Sequence, residues 1–146
     1  MYHFREPEDR VGTISNLSLF LHRSLDTGFK TKWSGLWTPS YKLLDYYAYK
    51  LNGIWLNQTT LEAVDYGEKI TYYHETDSIS VEETISAPEN SSGLKSTLKL
   101  KNKHDSVKAA RIGLEAGIDI REKSKDIPDQ NYDVEKSENS ITVSKE

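Results

Sequence analysis

The chain contains no cysteine among its 146 residues. A disulfide framework, a thiolate zinc site, an iron–sulfur cluster and a cysteine nucleophile are therefore excluded. There is one methionine, there are four prolines, and no apolar run approaches the roughly 18 residues of a membrane span. The opening stretch Met1–Arg10 is polar and carries Glu6, Glu8 and Asp9, unlike a signal peptide. No membrane partner and a cytoplasmic location are expected. Charge of one sign is also lacking: 19 Lys and Arg stand against 23 Asp and Glu, giving −4 and a pI of about 5.6. Nucleic acid is not an expected partner of such a chain. No G-x-S-x-G elbow, Walker A loop or G-x-G-x-x-G turn is present. His3, His22, His74 and His104 show no H-x-H or H-x-x-x-H spacing, so no metal or cofactor is expected.

What is present is a period of two. From Leu94 to Lys101, Leu94, Ser96, Leu98 and Leu100 alternate with Lys95, Thr97, Lys99 and Lys101. Such alternation turns one set toward a core and leaves the other in water. From Lys108 to Ile120, Ala110, Ile112, Leu114, Ala116, Ile118 and Ile120 share one face, with Arg111, Glu115, Asp119 and Arg121 on the other. Gly113 and Gly117 on the polar face mark bulges or close backbone contacts. Ile79, Val81 and Ile85 form a further set, which Glu83 breaks; Ile70 with Tyr72, and Ile141 with Val143, read likewise. Asn52-Gly53 predicts a two-residue type I′ hairpin pairing Leu51 with Ile54, Lys50 with Trp55 and Tyr49 with Leu56. Neither face of that hairpin is polar, so cover on both sides is expected.

Turn chemistry places breaks at Thr38–Ser40, Ala87–Gly93, Asn102–Ser106 and Lys123–Asn131. About nine short strands and no helix are expected, with Leu61–Tyr66 the weakest of them. The fold class is all-β: an antiparallel β-sandwich, with a barrel as second choice. Residues 1–14 read as an N-terminal extension and 15–146 as the sandwich domain. Ile141–Lys145 still reads as strand where the sequence stops, the pattern of a core strand at a terminus or of a fragment of a larger sandwich.

Eleven of the fifteen aromatic residues lie between Phe29 and Tyr73. Flat rings with polar edges suit the C–H faces of pyranose sugars. A carbohydrate-contacting surface around Trp33, Trp37 and Trp55 is one reading; rings filling a core or an interdomain interface are the other. Thr31–Tyr41, with two indoles and small residues between them, is the candidate functional loop. Glycoside hydrolysis needs two carboxylates facing each other across a sugar. Of Asp26, Asp45, Glu62, Asp65, Glu75, Glu83, Glu115 and Asp119, only Asp45 and Asp119 lie within otherwise apolar strands; the ordinary fate of any one acid is a solvated surface. Lys95, Lys99, Lys101 and Lys103 read as a solvated or edge-protecting stripe. Asn16-Leu17-Ser18, Asn57-Gln58-Thr59 and Asn90-Ser91-Ser92 match the N-glycosylation pattern by chance.

Gly28–Trp37 followed by Tyr41-Lys42-Leu43-Leu44-Asp45-Tyr46-Tyr47-Ala48-Tyr49-Lys50-Leu51-Asn52-Gly53-Ile54-Trp55-Leu56 resembles the N-terminal domain of archaeal and bacterial glycogen-debranching enzymes of the amylo-α-1,6-glucosidase type. Leu98–Val107 and then Gly113–Ile120 are similar to the strand, Asn, turn, strand, Asp pattern of that domain. The resemblance runs from about Ser15 onward, on β-patterned and aromatic motifs rather than catalytic ones. It implies a large antiparallel sandwich packed against a C-terminal toroid of helical hairpins that holds the catalytic carboxylates. The chain itself is then expected to be inactive, with no catalytic residue. Its partners would be that toroid and an α-glucan, met through Trp33, Trp37, Tyr41 and Trp55. A stand-alone carbohydrate-binding module, which needs an exposed planar set of Trp33, Trp37 and Trp55, is the rival reading. An aromatic-lined carrier barrel and a purely structural interaction domain are two more.

Overall fold

The computed structural model describes residues 1–106, 109–124 and 131–145. These residues form an all-β, sandwich-like architecture without helices. Among the described residues there are two open antiparallel sheets and a separate hairpin. The five-stranded sheet has β1 (Tyr2–Phe4), β7 (Leu61–Tyr66), β8 (Ile70–Glu75), β9 (Ile79–Ser86) and β10 (Lys95–Asn102) side by side in that order. The six-stranded sheet runs β11 (Ile112–Glu122), β5 (Tyr41–Leu51), β4 (Gly35–Trp37), β3 (Phe20–Ser24) and β2 (Val11–Ser15), with β6 (Ile54–Trp55) also paired to β5. Finally, β12 (Asp133–Lys136) pairs with β13 (Ile141–Ser144).

Residues 1–14 are not an appendage. Tyr2–Phe4 pair with Tyr66–Val64, and Val11–Ser15 with Ser24–Phe20, so this segment supplies an edge strand to each sheet. The expected breaks at Thr38–Ser40 and Ala87–Gly93 fall between strands, that at Asn102–Ser106 begins on the last residue of β10, and Leu61–Tyr66 is a strand. Val107, Lys108 and residues 125–130 lie outside the described residues, so the start of the Lys108–Ile120 pattern and the turn around Pro128 do too.

The Asn52-Gly53 turn forms as its φ requirement dictates, with φ of 51° and 86°. Lys50 faces Trp55, Leu51 faces Ile54, and the Leu56 amide donates to the Tyr49 carbonyl at 2.9 Å. Cover on both sides is only partial: Leu51 and Leu56 are buried, but Ile54 is exposed.

The main core holds Ile14, Leu21, Leu25, Tyr47, Val64, Ile70, Tyr72 and Ile85; a second cluster holds Leu51, Leu56, Ile79 and Val81. Each such side chain contributes about 1.5–3 kcal/mol by leaving water. Glu83 does not break the β9 pattern. It lies on the inner face with Ile79, Val81 and Ile85 and is wholly buried. The charge is tolerated because Arg23 reaches across from the other sheet to its Oε1 at 2.8 Å.

Two expected apolar faces lie open. Val134 and Ile141 of the β12–β13 hairpin are exposed, and so is the first half of the β11 face, where Ile112 is 45% and Leu114 63% accessible. Alternation fixes which side a residue takes, but burial needs something opposite, which the described residues do not supply at these positions.

Candidate functional site on the outer face of the six-stranded sheet

Cross-strand pairing sets Phe20, Trp37, Lys42 and Arg121 in a row across β3, β4, β5 and β11. Paired residues share a face, and this row lies opposite Leu21, Leu36 and Leu44, which pack into the core. Phe20 and Trp37 stack with ring centroids 6.2 Å apart and planes 3° from parallel. The Lys42 ammonium lies 5.3 Å from the Trp37 ring centroid.

The segment between β3 and β4 folds over this row. Asp26 is buried, accepts from the Gly28 amide at 3.3 Å and holds the Lys30 ammonium. A turn at Thr31–Ser34, closed by the Ser34 amide to the Thr31 carbonyl at 2.9 Å, carries Lys32 and Trp33 at its tip. The Trp37 indole N–H donates to the Trp33 carbonyl at 2.9 Å and fixes the turn to the sheet. Gly35 then returns the chain flush against β5 at φ 117°; a Cβ there would stand 2.1 Å from the Leu44 carbonyl oxygen.

The two indoles fare differently. Trp37 is sealed, with 3% of its surface accessible, whereas Trp33 is 52% exposed, its ring centroid 6.0 Å from that of Trp37. Lys32 Nζ sits 5.0 Å from the Trp33 ring centroid. Trp55 lies elsewhere, half-buried beneath Lys50, whose Nζ is 3.8 Å from the ring centroid. Lys42 and Lys50 are separated by roughly 26 Å of extended strand. The planar set of three indoles required by a stand-alone binding module is therefore not assembled. Tyr41 is exposed and pairs with Glu122, next to Lys42 but alternating to the other side of the strand.

Asp45 and Asp119 come together on a residue that sequence reasoning passed over. The buried Lys42 ammonium holds the exposed Asp45 carboxylate and lies 3.4 Å from Asp119 Oδ2, which also meets Arg121 Nε at 3.1 Å. The other oxygen of Asp119 is buried and has no hydrogen-bond partner among the described residues. One ammonium clamping both acids is unlike the facing pair of glycoside hydrolysis, which must leave room for a sugar between them. The arrangement presents an exposed ring next to hydrogen-bonding charge, which suits binding. The signal for Lys42 was a single cation inside the apolar run Tyr41–Tyr49.

Of the remaining acids, Glu62 is exposed on β7, and others are engaged elsewhere. Asp65 accepts from Tyr73 at 2.8 Å and meets His3 Nδ1 at 2.6 Å; the His3 contact first, then that of Tyr73, holds its carboxyl below the usual range against the opposing effect of burial. The same hydrogen bond, with burial, pushes the Tyr73 phenol up to about 12. Glu75 pairs with Lys103 at 3.0 Å, and Glu115 accepts from Tyr46 at 3.0 Å. The Tyr46 ring lies against Gly117, where a Cβ would meet it at 2.4 Å, so Gly117 marks a close contact. Among the described residues no cluster of His, Asp and Glu could hold a metal ion. Among the described residues neither sheet closes into the barrel that a carrier would need.

Comparison of the chain with protein families, curated proteins and solved structures finds no match.

Proposed function

We propose that the chain is the non-catalytic β-sandwich domain of a glycogen-debranching-type α-1,6-glucosidase, supporting a helical catalytic domain and contacting α-glucan through its outer face. The observation that carries this reading is the pairing of an exposed indole with a sealed one. Trp33 stands out on a turn fastened to Trp37, close to the charged group of Lys42, Asp45 and Asp119. A pyranose stacked on Trp33 could direct hydroxyls to the exposed Asp45 carboxylate. The all-β sandwich-like fold agrees with the domain that the resembled family carries.

The test is titration of the chain with maltooligosaccharides, followed by amide NMR and tryptophan fluorescence. Shifts confined to residues 31–45 and lost in Trp33→Ala are expected. Absence of any shift at millimolar ligand removes glucan contact. Release of glucose from a limit dextrin by the pure chain overturns the non-catalytic reading. The support role is tested by the gene, which is expected to encode several hundred residues of helical pattern beyond Glu146.

A further inference from the structure

We infer that the free edge of β11 is a self-recognition surface, at which two copies of the chain pair antiparallel through residues 112–116 across a two-fold axis. Among the described residues, the other three outer edges of the two large sheets are protected against such pairing. β1 is only three residues long. β10 lines its solvent side with Lys95, Lys99 and Lys101. On β2, the Tyr66 hydroxyl lies 3.3 Å from the Thr13 amide and 3.4 Å from its carbonyl, occupying both groups. Short strands, edge lysines and covered backbone are the ordinary means of preventing edge-to-edge association. β11 has none of them over Ile112-Gly113-Leu114-Glu115-Ala116, and its pairing irregularities begin only beyond Gly117.

Backbone direction selects the register. The Arg111 carbonyl accepts from the Asn52 amide at 2.9 Å, and the Arg111 amide donates to the Asn52 side chain at 2.8 Å. Arg111 therefore points both groups toward β5, as do Gly113 and Glu115 by alternation. Ile112, Leu114 and Ala116 point theirs outward. Pairing Leu114 with Leu114 of the second copy sets Ile112 opposite Ala116 and uses all of these outward groups. The same register sets Glu115 opposite Gly113, so no like charges face each other, and brings Arg111 into diagonal reach of Glu115. The apolar stripe of Ile112, Leu114 and Ala116 becomes continuous between copies. It prolongs the row of Leu51 and Tyr49, to which Ile112 and Leu114 are already paired. A self-complementary patch of this kind closes a two-fold dimer and stops there.

A five-residue strand pair is a small interface of the weak, transient class that buries under ~1,200 Å², so association is expected only in the micromolar range or above. Sedimentation equilibrium of the whole chain over that range should show monomer and dimer. Leu114→Lys places an inward-facing charge on the edge and should weaken dimerisation at least ~tenfold. Leu114 is largely exposed, so the monomer's melting temperature should not fall. Val11→Lys, on the β2 edge, should leave dimerisation unchanged. In a mixed sample of differently labelled copies, isotope-filtered NMR should give a Leu114–Leu114 contact. A chain that stays monomeric at the highest concentration overturns the inference. So does a dimer that Leu114→Lys leaves intact, or one that shows intermolecular contacts at another strand.

Discussion

Arg23 on β3 and Glu83 on β9 meet between the two sheets with Nη1 2.8 Å from Oε1, and neither side chain reaches solvent. Arg23 also donates to the Tyr47 hydroxyl at 3.0 Å and to the Thr27 carbonyl at 3.1 Å. Its guanidinium carbon lies 4.6 Å from the Tyr72 ring centroid and 4.8 Å from that of Tyr47. Breaking such a pair leaves one charge in an apolar interior. Glu83→Ala or Arg23→Ala should each cost about 3–5 kcal/mol, whereas a double replacement by leucine and methionine should recover most of it. Urea unfolding of the single and double variants measures this, and additive losses would count against a coupled pair.

His74 gives the fold a pH dependence. It is buried beside this pair, its Nδ1 lies 3.0 Å from Thr60 Oγ1, and its Nε2 has no partner among the described residues. Burial is the main cause that lowers its pKa from 6.5 to about 4; Glu83 opposes the shift and Arg23 adds to it. The unfolded chain takes up the proton first as pH falls. The stabilising effect is therefore complete above pH 6.5 and is lost as pH falls toward 4. The loss should approach about 3 kcal/mol at pH 4, and His74→Gln should flatten the profile in that window. Asp65, whose carboxyl is held low, adds a separate loss at more acid pH.

The two indoles of the outer face should separate in the same assay. Trp37→Ala empties a packed site and should cost about 3–5 kcal/mol. Trp33→Ala alters an exposed ring and should change stability by less than about 1 kcal/mol. Acrylamide quenching of the intact chain should fall sharply in Trp33→Ala, which leaves only the sealed Trp37 and the half-buried Trp55.

Two glycines with positive φ should respond unequally to alanine. At Gly53 nothing lies within 4 Å of an added Cβ, so the cost is conformational and about 1–2 kcal/mol. At Gly35 the methyl would overlap the Leu44 carbonyl oxygen, and Gly35→Ala is expected to leave no folded chain at 37 °C. Circular dichroism of the two variants distinguishes the cases.

The elements most legible in the sequence were those set by local rules. The Asn52-Gly53 turn needs two positive φ angles, and few residue pairs supply them. The alternation of Ile79–Ser86 and Leu94–Lys101 is likewise a local property of the pleat. Glu83 looks like a break in the sequence because its partner Arg23 is sixty residues away, a separation that periodicity cannot register. The open face of Ile112 and Leu114 escaped for a related reason: a period of two shows that a residue has a side, not what lies across from it. At the candidate site, Asp45 and Asp119 stood out as acids in apolar strands. Lys42, on which both converge, belonged to a residue type ordinarily left to the surface.

β5 carries one more residue than β4 at Leu43, and one more than β11 at Asp45, which β11 makes up with an extra residue between Ile118 and Arg121. Lys42 thereby joins the outer row while Leu44 and Tyr47 both point into the core. The spacing from Lys42 to Tyr47 is thus a gauge length of the molecule. Deleting one residue within it would turn the lysine inward, or a tyrosine outward, and would dismantle the outer row and the Arg23 anchor in one step. Substitutions can accumulate along this strand, but changes in its length should be refused.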